Sequence, residues 1–562
     1  MTRRMFPYGD RAVLVELDNL DEVLALREGL EATRPPGVVD IVPAARTVTV
    51  TIDPAVLPIE SARSWVVDAR PLPAGELQHE TVTIDVEYSG EDLGYVAQVL
   101  GVSADEVVRL HTESEWRVAF CGFAPGFGYL ATDHDRLVVP RRESPRTSVP
   151  AGSVALAGEF SGVYPRSGPG GWQLIGTTDA ALFDPARDPA ALLRPGVHVR
   201  FRAVGAARAN AGARASGAAV AEPTAVAAAA FAEPAVAEPG PTPPVPNDSE
   251  NRSAVPVGIE AARSHPASLP AMRILDPGQS ALIEDLGRPG NAAVGAARSG
   301  ALDRGAFRLG NRLVGNREDA AALELLVGGL TASIEQPLWF AVTGALCPIT
   351  LDGQPVEPDE AVHALAGQTL RVGAAKRGLR AYIAVRGGIA AQPALGSRSR
   401  DVLAELGPSP LGAGDVIRLD SAPHAQIPAV DTMTVAAPTE DAVTIRVMPG
   451  PREDWFTAGA LERFYGTQWT VTAQGNRTGI RLEAAGSSGS AVELERAIRV
   501  ELPSEAMIAG AIQVPPSGQP TVLLADHPTT GGYPVIAVVT DASLDAFAQL
   551  RPGQRVAFRH AR

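Results

Sequence analysis

Residues 204–271 are built largely from Ala, Pro, Glu and Val, with AEPTAVAAAAFAEPAVAEPGPTPPVP at their centre. Large apolar side chains are too few there to offset the entropy of ordering the chain. The stretch predicts a flexible, partly extended tether, and an Ala-rich helix near 225–231 would be marginal alone. A chain of 562 residues is also too long for a single core. The sequence therefore reads as two folded bodies, one on each side of the tether.

The first body divides again. RAVLVEL (11–17) has a strand pattern, DEVLALREGLEAT (21–33) a helix pattern, and TVTVTID (47–53) alternates like a half-buried strand. With SARSWVVDAR (61–70) as a second helix, residues 1–79 form a small α/β domain. TVTIDVEY (81–88) opens a new strand set, and Ser103 with Glu106 makes a capping box for a helix over 104–112. Gly and Pro then punctuate the chain to residue 203, as in a compact β-rich domain. In the second body, ALDRGAFRLGNRLVG (301–315) is the clearest helix, with Asn311 and Arg312 placed to hold it against a barrel. LRAYIAVRGGI (379–389) and TVLLAD (521–526) read as buried strands.

Composition removes several functions. The net charge of −15 argues against a general nucleic-acid binder, which needs a basic footprint. No run of 18 apolar residues predicts a membrane span. The opening MTRRMFPYGDRAVLVEL reads as a first strand, not a signal peptide. Two distant cysteines, Cys121 and Cys347, make no disulfide framework, which fits a reducing, cytoplasmic setting. Lys376 is the sole lysine and stands in AAKRG, so neither a Walker A loop nor a biotin carrier is present. No zinc spacing occurs, and metal ligands stay unassigned. A thiolate nucleophile at Cys121, with His134 as its base, competes with the plainer reading of an inert buried thiol.

The two bodies end alike. PGGWQLIGTTDAALFDPARDPAALLRPGVHVRFR (169–202) is echoed by TGGYPVIAVVTDASLDAFAQLRPGQRVAFR (530–559). Each has Gly-Gly-aromatic, a strand, a helix-like stretch, Leu-Arg-Pro-Gly and a final strand. AGSVALAG (151–158) likewise parallels AGAIQVPP (509–516), so two related β-rich units are expected. The pairs Gly170/Gly171 and Gly531/Gly532 would let backbone amides approach a ligand; a plain tight turn is the alternative.

CGFAPGFGYL (121–130), PRTSVPAGSVALAG (145–158) and GPGGWQLIGTT (168–178) resemble the B subunit of 5-oxoprolinase, the KipI or allophanate hydrolase subunit 1 family. LDPGQSALIEDLGRPG (275–290), RSGALDRGAFRLGNRLVGN (298–316), AYIAVRGGI (381–389), LGSRSRD (395–401) and ADHPTTGGYPVIA (525–537) resemble the C subunit, the KipA or allophanate hydrolase subunit 2 family. Related domains form the carboxyltransferase part of urea carboxylase. The resemblance implies a β-rich α+β chain of tandem cyclophilin-like β-barrels behind the small N-terminal α/β domain. It assigns one barrel to 80–203, a linker to 204–272, and two cyclophilin-like halves to 273–425 and 426–562. Two departures stand out. Gly128 replaces a usual Pro, and Asn476-Arg477-Thr478-Gly479-Ile480-Arg481-Leu482 lacks the Met and Tyr common in relatives.

The resemblance further implies a component of ATP-dependent 5-oxoprolinase, which opens 5-oxoproline to glutamate with a separate A-type subunit. ATP and Mg²⁺ are its implied cofactors, and phosphorylation of the amide oxygen would activate the stable lactam. Arg146 would grip a phosphate or carboxylate, unless it forms a surface salt bridge. Asp526 and His527 would act as metal ligand and acid/base, with Thr529 and Thr530 as donors. Trp172 and Tyr533 would wall a pocket, or else belong to the core. Asn476, Arg477 and Arg481 would bind a carboxylate, or else form a hydrogen-bonded turn. Alternatives are a biotin-dependent carboxyltransferase component acting on urea or a related amide, and a non-catalytic regulator of a sensor kinase. The expected partners are an A-type 5-oxoprolinase subunit and a small molecule, without nucleic acid or membrane; self-association is left open.

Overall fold

The computed structural model describes residues 3–72, 80–205, 270–420, 425–428, 438–484 and 493–561. Most of the expected tether, with its Ala-rich segment, lies outside the described residues. The strand Pro270–Asp276 begins inside the range assigned to that tether. Among the described residues no helix is long and apolar enough to cross a membrane.

The N-terminal part is a four-stranded antiparallel sheet in the order Arg4–Pro7, Ala12–Glu16, Thr47–Ile52, Val38–Pro43. Its helices Leu20–Ala32 and Ile59–Asp68 cover one face, where Val13, Val15, Val48 and Val50 meet Leu26, Leu30 and Val66. Asn19 starts the first helix by accepting from the amide of Glu22. Ala12 and Leu14 point the other way, against Met507, Ile508 and Val538 of the chain's last barrel. Burial on both faces explains why RAVLVEL reads as a continuous apolar run.

Two seven-stranded units follow the same plan. The first runs Thr81–Val86, His198–Ala203, Trp116–Cys121, Gly128–Ala131, Phe160–Val163, Ser153–Ala157, Gln173–Thr177, and a bridge between Glu87 and Thr177 nearly closes it. The second, a closed barrel, runs Val443–Pro449, Arg555–His560, Gln468–Gly475, Gly479–Ala484, Thr521–Leu523, Ala511–Gln513, Val535–Val539. In each, the first and last strands in sequence pair in parallel. The echoed motifs thus occupy equivalent strands, and the tandem cyclophilin-like barrels implied by the resemblance are present. Each glycine pair belongs to or borders a two-stranded ribbon, Arg146–Val149 with Gly168–Gly170 and Glu505–Ala506 with Thr530–Gly531.

One part of the echo fails. Asp541–Ala548 is a helix, whereas the matching stretch after Thr178 forms only turns and isolated bridges. Pro185 and Pro189 lie within it, and each removes an amide donor and clashes with a helical turn. The helices Leu93–Leu100 and Ala458–Gly466 were not anticipated from sequence.

Between the barrels, residues 270–418 form sheets of six and five strands around a shared core, rather than one closed seven-stranded barrel. The helix Arg304–Leu313, capped by Asp303, lies on the five-stranded sheet with Phe307 edge-on to Tyr382. Asn311 secures it, donating to the carbonyl of Ala320 at 2.7 Å.

The parts before and after the tether dock directly. Asp40 accepts from the amides of Gly290 and Ala292 at 3.2 and 3.0 Å. The amide of Gly126 donates to Val294 at 2.9 Å. Arg452, stacked on Phe6, bonds Glu16 at 2.6 Å and also pairs with Glu505.

Candidate functional site

The docking leaves a cavity of about 150 Å³ where three pieces meet. One wall is the N-terminal sheet. Alternation along TVTVTI sends Val48, Val50 and Ile52 to the helices, while Thr49 and Thr51 line the cavity beside Asp40 and Val42. The loop 286–304 supplies Arg298, Ser299, Leu302 and Arg304. The last barrel supplies Met507, Leu524, His527 and Asp541. The space holds roughly ten waters, room for a single small ring.

Charge inside it is uneven. Arg11 is engaged by Asp10 at 2.8 Å and by the carbonyl of Ala509 at 2.5 Å. Arg304 bonds Asp541 at 2.8 Å and Asp545 at 3.0 Å. Burial alone would raise the Asp541 carboxyl, but its bond to Arg304 and that residue's charge hold it below the usual range. Arg298 differs. Its Nε donates to the carbonyl of Leu286 at 3.2 Å, yet among the described residues no carboxylate comes within 4 Å of its guanidinium. Arg298 is exposed, and it lines the rim of the cavity. Burial and the neighbouring Arg304 both lower its affinity for a proton, but a guanidinium stays cationic at physiological pH.

Two further titratable groups, Asp40 and His527, are perturbed as functional groups often are. Burial pushes the Asp40 carboxyl up to about 6, partly offset by the amides of Ala292 and Gly290. Burial depresses His527, which is therefore neutral at physiological pH. Its Nδ1 lies 2.9 Å from the carbonyl of Pro528 and must carry the proton to make that bond. Nε2 is left as an acceptor, and His527 lines the cavity. The hydroxyl of Thr49 is buried on the same wall with no hydrogen-bond partner.

Of the residues singled out from sequence, only His527 lines this cavity. Asp526, its neighbour, is fully buried and faces a different set of groups. It accepts from Ser299 at 2.6 Å, from Arg477 Nε at 2.8 Å and from the amide of Val402 at 3.0 Å. Arg477 also bonds Glu324 at 2.6 Å and the carbonyl of Gly300 at 2.7 Å. This network ties the last barrel to the central sheets, and breaking a buried pair of this kind costs about 3–5 kcal/mol. Arg477 and Asp526 are thus engaged in packing. The side chain of Asn476 accepts from the amides of Thr478 and Gly479, the plain turn foreseen as its alternative, while Arg481 reaches Gln474.

Arg146 is held by Asp92 at 2.9 Å and Glu91 at 3.1 Å, and its bond to Asp92 is the chief reason its proton is held more tightly. Trp172 is buried among Phe127 and Tyr129, the core reading. A side chain at Gly170 would strike Tyr164, and one at Gly171 would meet only Pro145 and Arg142. Thr529 and Thr530 are buried, Gly531 abuts Met507, Gly532 abuts Leu502, and Tyr533 is 36% exposed. Each glycine turn therefore lies within its own body, and the barrels touch instead at Gly122 and Thr530.

Cys121 has the surroundings of the inert buried thiol. It is buried, donates to the carbonyl of Leu193, and burial pushes its thiol up to about 12. His134 bonds Ser114. No group of three or more potential metal ligands occurs among the described residues. Asp40 and Asp541 already serve amides and Arg304. The described residues thus gather no Mg²⁺ site in this cavity.

Sequence reasoning missed Arg11, Asp40, Thr49 and Arg298. The Thr face of TVTVTI was the one visible signal, since polar alternation says that a face is not core without saying what it meets.

The family model for the carboxyltransferase domain, subdomains C and D, matches residues 3–193, and that for subdomains A and B matches residues 294–560. The chain is 38% identical over 288 residues to the C subunit of 5-oxoprolinase from Haemophilus influenzae, covering 51% of this chain and 89% of that one. It is 41% identical over 209 residues to the B subunit of 5-oxoprolinase from Escherichia coli O157:H7, covering 35% of this chain and 94% of that one. Urea amidolyase of Lachancea kluyveri is 30% identical over 314 residues, which are 51% of this chain and 17% of that protein. A crystal structure of TTHA0988 covers 98% of this chain and 99% of its own, at 33% identity and a TM-score of 0.77.

Proposed function

The chain belongs to the carboxyltransferase-domain family that includes the B and C subunits of 5-oxoprolinase, with both types joined in one polypeptide, and from that premise we propose that it is the lactam-binding component of an ATP-dependent 5-oxoprolinase. A separate A-type subunit completes the enzyme, in the cytoplasm. The observation that carries this reading is the junction cavity, whose walls come from both parts of the fusion. A site shared in this way makes the two parts one functional unit, and joining them raises the effective concentration of each for the other.

The chain's own residues bind and orient the lactam. His527 is neutral, with Nε2 available to accept a proton from water or from the substrate. Asp40 titrates near 6, so it can hold or release a proton near neutral pH. In this reading ATP and Mg²⁺ sit on the A-type subunit, since the junction cavity gathers no cluster of metal ligands.

The test is turnover. The purified chain mixed with a matching A-type subunit is expected to hydrolyse ATP only when 5-oxoproline is present, releasing glutamate. Folded proteins that show no such coupling overturn the reading. Activity that instead requires bicarbonate and a biotinylated protein would favour the carboxyltransferase alternative suggested by the likeness to urea amidolyase.

A further inference from the structure

We infer that Arg298 is the carboxylate-reading residue of the junction cavity, which therefore takes small monocarboxylates with an N–H donor beside the acid and rejects the same skeleton without the acid. This rests on the cavity being the substrate site.

Three observations carry it. The first is charge. Arg11 and Arg304 are in contact with Asp10, Asp541 and Asp545, whereas no carboxylate among the described residues contacts Arg298, on which Asp541 and Asp40 act only from beyond 4 Å. A guanidinium at the rim of a cavity with no carboxylate in contact is open to an anion from solution. The second is shape. The bond from Nε to Leu286 sets the direction of the fork and leaves both terminal nitrogens for a planar, two-pronged acceptor, the geometry of a carboxylate. The third is the rest of the wall. Nε2 of His527 is an acceptor for an N–H, and Thr51 adds a polar group to the wall. Val42, Leu302, Met507 and Leu544 supply apolar surface for a short hydrocarbon ring. Phosphate would satisfy the first observation but not the acceptor and apolar walls.

The experiment is calorimetric titration of the full-length chain, without ATP or the A-type subunit. The probes are 5-oxoproline, 2-pyrrolidone (the same lactam without the acid), proline, and inorganic phosphate. 5-Oxoproline is expected to bind, and 2-pyrrolidone to bind at least tenfold more weakly. Arg298→Gln should weaken 5-oxoproline roughly 10- to 100-fold, as loss of a charged hydrogen bond does, and Arg298→Lys should recover part of it. Circular dichroism checks the fold of each variant; if the Gln variant fails to fold, the Lys variant carries the comparison. Equal binding of the two lactams, unchanged affinity in a folded Arg298 variant, preference for phosphate, or no binding by any carboxylate overturns the inference. Arg298-dependent binding of proline without 5-oxoproline would uphold the carboxylate role and remove the 5-oxoprolinase reading instead.

Discussion

His111 sits inside the first barrel with both ring nitrogens used, Nδ1 with Tyr88 at 2.7 Å and Nε2 with Ser161 at 2.8 Å. Its ring is tilted against Trp116 and Phe201. Burial depresses its basicity to about 3 from an ordinary 6.5. In the unfolded chain it gains a proton near 6.5, while in the folded barrel it does not. The stability it contributes is therefore fully present above pH 6.5 and is lost as pH falls toward 3. Urea titrations should show about 1.4 kcal/mol lost per pH unit from this residue over that window, and His111→Gln should remove that slope. Equal slopes in the two proteins would refute it. His111 and His527 are both buried and neutral, yet only His527 keeps a ring nitrogen free. Nothing in sequence separates them, because the difference lies in which partners the packing brings. The same holds for Arg477 and Arg298: one is saturated by carboxylates and the other faces a cavity.

At the scale of elements, the loop after Cys121 meets the ribbon strand Thr530–Gly531 where the barrels touch. A methyl group at Gly122 would overlap the hydroxyl, Cβ and Cγ2 of Thr530. Gly122→Ala should therefore destabilise the docked chain by about 1–3 kcal/mol, as overpacking does. Thr530→Gly removes all three colliding atoms, so the double variant should regain most of that loss in thermal unfolding. Additive losses would show that the two positions do not touch. Much of the element pattern was legible from sequence. The first two helices, the capping box at Ser103 and the echoed strands all appear where periodicity and caps place them, because those signals are carried by near neighbours in the chain. The missing helix after Thr178 shows the limit, since the echo outweighed its prolines in the reading.

For the whole molecule, the two sides of the tether should assemble without it. Residues 1–205 and 270–562 expressed as separate chains are expected to co-purify, held by the buried contacts of Tyr8, Leu14 and Val538 and by Arg452 between Glu16 and Glu505. Arg452→Met strands two carboxylates and should weaken that association by roughly thirtyfold or more. Pieces that fold yet fail to associate would contradict the interface.

Family membership, the barrel duplication and most strands follow from order along the chain, since hydrophobic period, turn residues and long motifs are local or repeated in register. The junction cavity does not. It needs Asp40 and Thr49 from the first part to face Arg298 and His527 from the second, and their meeting depends on which sheet face each buries and on how the barrels dock. That is set by shape complementarity over distant surfaces, to which the linear pattern of apolar and polar residues is blind.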